Sequence, residues 1–206
     1  MSLTLIIIAI TVAISFIAFN NYNLRSQLIH NPYIVNQRKE YYRLLTSGFI
    51  HADFVHLFFN MFVLYSFGNN MESIFHVSFA EQANLYFILL YVVGIIISSI
   101  PGQIRHRNDP GYNSLGASGG VSSVLFAFII LLPTSTLQIF PIPVDIPAWI
   151  FAILYVMYSV YMDRRQSDNV NHMAHLWGAV GGVVFVLFLY PGAFPAFLDQ
   201  ILNSFR

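Results

Sequence analysis

The chain has 206 residues, of which 57% are hydrophobic and only 9% charged, a composition that excludes an ordinary water-soluble domain. Nine basic and nine acidic residues balance, and no charge run is long enough to grip nucleic acid; Arg105, His106 and Arg107 read as a solvated interhelical loop. Cysteine is absent, which excludes disulfides, thiolate metal ligands and a cysteine nucleophile.

A membrane span needs about 20 mostly apolar residues, and six runs of that kind follow one another: 3–19, 54–75, 84–100, 116–132, 146–162 and 172–190. They predict an all-α, polytopic membrane protein made of one domain over 1–206. The first run has no basic stretch ahead of it and no small-residue cleavage site after it, so it reads as a retained span. A long polar and aromatic connection covers 20–53. The later connections, 76–83, 101–114, 133–145 and 163–171, are shorter loops. His30, His76 and His106 fall in these connections and read as solvated. Twenty phenylalanines and twelve tyrosines read as lipid-facing packing and interfacial belts rather than a cofactor box.

Inside the spans, polar groups must find partners or a wet cavity, so the few present carry the information. The second span places His56 and Asn60 four residues apart, on one helical face. The fourth opens on GASGG, with Gly116, Ser118, Gly119 and Gly120. The sixth opens on HMAHLWGAVGG, which sets His172 and His175 on adjacent turns beside Gly178 and Gly182. Up-and-down connectivity brings His56, Ser118 and His175 to the same membrane face.

A serine hydroxyl becomes a useful nucleophile when an imidazole within hydrogen-bond reach accepts its proton, and Ser118 with His175 supplies such a pair. Acyl transfer also needs donors aimed at an oxyanion; the His56 imidazole, the Asn60 amide and the backbone N–H groups around Ser118 qualify. Gly178 and Gly182 are small residues four apart, which let two membrane helices approach closely, as do Gly116, Gly119 and Gly120 on the partner. Alone, each feature has a plainer reading: a serine among glycines is commonly helix packing, and a single intramembrane histidine is commonly a hydrogen-bonded core residue.

Together these residues resemble the rhomboid intramembrane serine proteases, over nearly the whole chain. GASG (116–119) resembles the family's GxSG box and implies Ser118 as nucleophile. AHLWG (174–178) resembles AHxxG and implies His175 as base. HLFFN (56–60) resembles the HxxxN box, which implies His56 and Asn60 at the oxyanion, with His51 matching a further family histidine. Gly116, Gly119, His51 and His172 are then supporting residues. Tyr42 and Arg43 resemble the aromatic–arginine pair of a long first loop that lies partly embedded in the membrane as short helices. Glu72 falls where the family keeps an acidic residue, and the resemblance gives Arg43 and Glu72 a loop-anchoring role. One departure stands out: many rhomboids carry an aromatic residue four positions after the nucleophile, stacked on the catalytic imidazole, where this chain has Ser122.

The resemblance implies a six-span rhomboid-like bundle that cleaves single-span membrane proteins near the membrane boundary through a Ser118–His175 dyad and an acyl-enzyme, without cofactor or metal. It implies partial unwinding of the substrate helix, a lid over 163–171 and a gate in the fifth span around 149–161. Its partners are single-span substrates and the bilayer. Three rivals are weaker. A zinc protease of the HExxH type needs a His-Glu pair, which the sequence lacks, and His172 with His175 alone is a weak zinc signal. A small transporter would show repeats or paired interruptions. A catalytically inactive membrane-protein binder would not be expected to keep serine, histidine and oxyanion donors together. For orientation two expectations oppose one another. The resemblance puts the active-site face on the non-cytoplasmic side of the plasma or an inner membrane. Eight of the nine basic residues, Arg25, Arg38, Lys39, Arg43, Arg105, Arg107, Arg164 and Arg165, lie toward that same face, and the positive-inside rule puts it in the cytoplasm.

Overall fold

The computed structural model describes residues 2–139, 142–165 and 170–205. Six helices follow the predicted spans: α1 (Leu3–Asn20), α5 (Phe54–Phe79), α6 (Ala83–Arg105), α7 (Ser118–Leu131), α8 (Ala148–Arg165) and α9 (His172–Leu189). Three short helices, α2 (Tyr22–Leu28), α3 (Pro32–Arg38) and α4 (Arg43–Thr46), fold the first long loop, as the resemblance implied. A further helix, α10 (Ala193–Asn203), follows α9. The stretches Leu3–Asn20, Phe54–Arg105, which contains both α5 and α6, and His172–Leu189 are long and apolar enough to cross a membrane. The fold is an all-α polytopic bundle.

The structure departs from the sequence expectation at the connections. α5 runs on through His76 to Phe79 and is stopped by Ala80 at φ 44°, so 76–83 is mostly helix and a short turn. α6 continues through Pro101 to Arg105. The segment 133–145 is no simple loop: β1 (Thr136–Ile139) pairs antiparallel with β2 (Ile142–Pro147). Thr, Ile and Val suit a pleated, half-buried surface, and Ser135 and Pro133 accept from Ala148 and Trp149 to seat the hairpin on α8. The fourth helix begins at Ser118, two residues later than predicted, because Gly116 adopts φ +119°.

α7 is the centre. Eleven of its 14 residues are buried, and it packs on α5, α6, α8 and α9. At 1.5 Å per residue it is about 21 Å long, short of the roughly 30 Å hydrocarbon core. It therefore cannot reach both faces of that core, and at least one end lies within the membrane's depth.

Lipid tails are as apolar as leucine, so bundle contacts are selected by small and polar side chains rather than by hydrophobicity. α1 shows this clearly. Its buried residues are Thr4, Thr11, Ser15 and Ala18, while Leu5, Ile10, Phe16 and Ile17 are exposed. The tightest seam joins α7 to α9, where Gly178 lies on the Gly119 carbonyl and Gly182 on the Ser123 carbonyl, with no room for a Cβ at either position.

Replacing Gly182 by leucine is expected to force α7 and α9 apart and to destabilise the bundle by about 1–3 kcal/mol or more. Gly192→Leu, at a position with nothing within 4 Å, is the control. Thermal unfolding in detergent measures both; equal midpoints would show that the seam does not matter.

Candidate active site

Ser118 is the first residue of α7, half-buried at the helix start. The amides of a first helical turn have no intrahelical partner, and the helix dipole places partial positive charge there. The strand leading to Ser118 is tied along its length to the first loop. His30 and Ser114 exchange both backbone hydrogen bonds, at 2.9 and 3.1 Å. The Asn31 amide donates to the carbonyls of Pro110 and Tyr112, each at 3.1 Å. Gly116 N–H donates to the Ser47 carbonyl at 2.9 Å.

His51 completes this brace. The Ala117 N–H donates to its Nε2 at 3.3 Å, so that nitrogen is the acceptor and the proton sits on Nδ1. Nδ1 then donates to Ser15 Oγ at 2.9 Å, and Ser15 passes its own proton to the Phe49 carbonyl at 3.0 Å. Every role is filled by a neutral ring. Burial, with the neighbouring His56 acting in the same direction, pushes the His51 pKa down to about 3, against a smaller opposing pull from Asp53.

His56 enters from the first turn of α5, whose start is capped by Asp53 accepting from the His56 N–H at 2.8 Å. Its ring lies over Gly116. A Cβ added there would stand 2.6 Å from Cε1 and 2.8 Å from Nε2, and φ +119° would strain any L side chain as well. Glycine at 116 is thus what lets the imidazole reach the strand before the serine. Asn60, one turn further, is buried and gives one of its N–H groups to the His56 carbonyl at 2.9 Å.

His56, Asn60, Ser118 and His175 all line one cavity of about 730 Å³. Phe59 and Val63 of α5 and Phe151 and Tyr155 of α8 line it too, so it reaches between those two helices. Its polar end marks which end of the short α7 is recessed.

His175 lies on the first turn of α9. Asn171 caps that helix by accepting from the Ala174 N–H at 3.0 Å, and its amide donates to Tyr112 Oη and Ser114 Oγ at 3.0 and 3.1 Å. The start of α9 is thereby fastened to the strand that precedes Ser118. The Tyr155 ring of α8 lies near-parallel to His175, with centroids 6.5 Å apart and planes 19° apart, and its hydroxyl is 2.9 Å from Ser122 Oγ. Where an aromatic side chain was expected at 122, a serine there holds an aromatic ring from the next helix. His172 is buried and packs edge-on against Tyr158 and His175 rather than lining the cavity.

The two predicted anchors sit away from the cavity. Arg43, buried, donates to the carbonyls of Ser26 and Ile29 at 2.7 and 3.0 Å and pairs with Glu40 at 2.6 Å, drawing α2 onto α4. That guanidinium holds the Glu40 carboxyl below the usual carboxylate range. Glu72 ends on the N–H groups of Leu3 and Thr4, so it fastens a helix start rather than a loop.

Of the three histidines read as solvated, His30 needs correction. His30 is 1% exposed, bonded through Nε2 to Gln103 at 3.0 Å, and burial lowers its pKa. His76 is exposed but helical, and His106 stacks on Tyr112 at 3.8 Å. Sequence reasoning assigned no role to Asn171, Tyr155, Asn31 or Ser15. Of these Asn171 and Asn31 carried a usable signal: each is an N-cap residue, the first directly before an apolar run and the second directly before a proline at the first helical position. Of the expected lid, 166–169 lie outside the described residues. Among the described residues no three His, Asp or Glu side chains converge as a metal site would require.

The sequence matches the model of the Rhomboid domain over residues 38–192. The chain belongs to the rhomboid family, and it is an integral membrane protein. It is 32% identical over 145 residues to RHOMBOID-like protein 12, mitochondrial, of Arabidopsis thaliana, covering 66% of this chain and 43% of the relative. It is 29% identical over 146 residues to Rhomboid protein 1, mitochondrial, of Saccharomyces cerevisiae, covering 69% and 40%. With Inactive rhomboid-related protein 2 of Caenorhabditis elegans it shares 26% identity over 171 residues, covering 81% and 46%. The chain spans less than half the length of each of these three relatives.

The His51 brace has a pH signature in this rhomboid. Its folded pKa lies below the unfolded value of about 6.5, so the unfolded chain binds the extra proton and stability falls as pH drops from about 6.5 toward 3. His51→Gln keeps a donor and an acceptor without titrating, and its unfolding midpoint is expected to vary less across that window than the parent's. Parallel pH profiles would remove the neutral-ring assignment.

Proposed function

We propose that this rhomboid is an intramembrane serine endopeptidase that cleaves single-span membrane proteins near the membrane boundary. One observation carries the reading: Ser118 and His175, from different spans, line a single cavity together with His56 and Asn60. Ser118 Oγ attacks the scissile carbonyl carbon while His175 takes the hydroxyl proton. The resulting oxyanion is held by the His56 imidazole, the Asn60 amide and the amides at the start of α7. The tetrahedral intermediate collapses, the C–N bond breaks, and His175 returns the proton to the leaving amine. Water then attacks the acyl-enzyme ester with His175 again as base, freeing the new carboxylate and Ser118.

A substrate must present an extended carbonyl, so its helix has to unwind locally before it can react. The cavity's extension between α5 and α8 supports entry from the lipid by a small displacement of α8. No cofactor or metal enters this scheme. The membrane is the plasma or an inner membrane, and the reading keeps the active-site face on the non-cytoplasmic side. The basic loops pull the other way, although Arg43 is used within the first loop. An amino-terminal reporter that works only in the cytoplasm is expected to be active; one active only outside would reverse the orientation and leave the chemistry untouched.

A second reading, a catalytically inactive membrane-protein binder, takes its support from the nematode relative named as inactive. Ser118→Ala separates the two. It is expected to lower cleavage of a single-span reporter by roughly a thousandfold or more at unchanged folded enzyme, and preserved cleavage would end the serine mechanism. A fluorophosphonate is expected to label Ser118 in the parent and not in His175→Ala; no labelling of the parent would favour the binder. Chelators are expected to leave cleavage unchanged.

In this scheme Tyr155 is a positioning residue for the base. Tyr155→Leu is expected to lower kcat by roughly tenfold or more with KM little changed. Tyr155→Phe, which keeps the ring and loses the Ser122 bond, is expected to fall between. A change in KM alone would assign Tyr155 to substrate binding instead.

A further inference from the structure

α10 has no place in the proposed reaction, yet its position is specific. It leaves the end of α9 through a turn in which Ala193 N–H donates to the Tyr190 carbonyl at 2.8 Å. At its middle, Gln200 Nε2 donates to the carbonyl of Leu131, the last residue of α7, at 3.3 Å. Just beyond its end, the Phe205 ring meets Trp149 at the start of α8, with centroids 6.0 Å apart. Those three helix ends all lie on the face opposite Ser118. A helix that passes them in turn runs across that face, in the plane of the membrane rather than through it.

The 3.6-residue period sorts its side chains into three sectors, each roughly a third of a turn from the next. Ala193, Phe197 and Gln200 face the bundle, Ala193 buried and Phe197 packed on the core. Asp199 and Asn203 are exposed and polar. Between them Phe194, Leu198, Leu202 and Phe205 form a stripe that is 52%, 43%, 62% and 72% exposed.

A helix facing only protein and water would need two sectors. The third one is apolar, and α9, the helix that leads into α10, likewise exposes Val184 and Phe188, 58% and 82%, along a span long and apolar enough to cross a membrane. We propose that α10 is an interfacial helix whose apolar stripe lies in the boundary between headgroups and acyl chains of the leaflet opposite the candidate active site. α10 itself contains no Lys or Arg and Arg206 is the single basic residue that follows it in the sequence, so the contact rests mainly on apolar area rather than on attraction to anionic lipids, and a zwitterionic membrane suffices. The inference depends on the chain's crossing the membrane and not on the protease reading.

The natural absence of cysteine makes the test direct. Leu198→Cys, Leu202→Cys, Asp199→Cys and Asn203→Cys, each in the full chain, are labelled with a nitroxide and reconstituted in phosphatidylcholine vesicles. Spin relaxation by dissolved oxygen is compared with relaxation by a water-soluble nickel chelate. At 198 and 202 the oxygen-to-nickel ratio is expected to exceed that at 199 and 203 by roughly threefold or more, the mark of shallow immersion in lipid. Equal ratios at all four sites would put the stripe in water and overturn the proposal. Protection of 198 and 202 from both reagents would mean that protein, a second copy included, covers the stripe, and would overturn it equally.

Discussion

Everything near Ser118 depends on the backbone-level contact between α7 and α9. In lipid no hydrophobic force draws one helix to another, so association rests on close packing and on polar pairing. Gly119 with Gly178, and Ser123 with Gly182, touch where a Cβ would not fit. Because both contacts share one offset and both helices start at the same face, the seam also sets a register: His175 is level with Gly116, two residues from Ser118. The glycines thus bring the helices together and decide which side chains face each other above the contact.

Register alone does not aim a side chain, and the first loop contributes the rest. Backbone polar groups near the membrane core must be satisfied, and those of the strand before Ser118 are satisfied largely by that loop. Ser47, His30 and Asn31 take its amides and carbonyls, and His51 takes the Ala117 N–H while leaning on Ser15 of α1. Arg43 in turn holds the loop folded by gathering the carbonyls of Ser26 and Ile29. The segment that looks least like membrane protein is the one that fixes the approach to the serine.

Much of this was legible in the sequence, for a physical reason: polar residues are scarce in spans, so His56, Asn60, Ser118 and His175 stood out against an apolar background, and helical spacing placed them on faces and ends. The Gly178–Gly182 spacing carried the seam. What stayed hidden depends on pairing across long separations. Ser122 stood out only as a departure and Tyr155 not at all, and only the fold brings their hydroxyls within 2.9 Å. His30 read as solvated because a loop position says nothing about Gln103, 73 residues away. The hairpin at 136–147 and α10 fall between or beyond the apolar runs, where a span-length window has nothing to detect.

The depth of the serine is the last consequence of these contacts. A helix of about 21 Å has no hydropathic reason to sit at one level in a 30 Å core; it could slide with little change in the apolar area exposed to lipid, since nearly all of its surface is covered by protein. Its level is fixed from both ends instead. At the start, Gly116 and Ala117 donate to Ser47 and His51; at the finish, Leu131 accepts from Gln200 of α10. Sliding α7 by one residue, about 1.5 Å, would break bonds at both ends and drive the Gly119 and Ser123 carbonyls off the glycines that admit them. The level of Ser118 within the bundle is therefore a property of the protein's own hydrogen bonds.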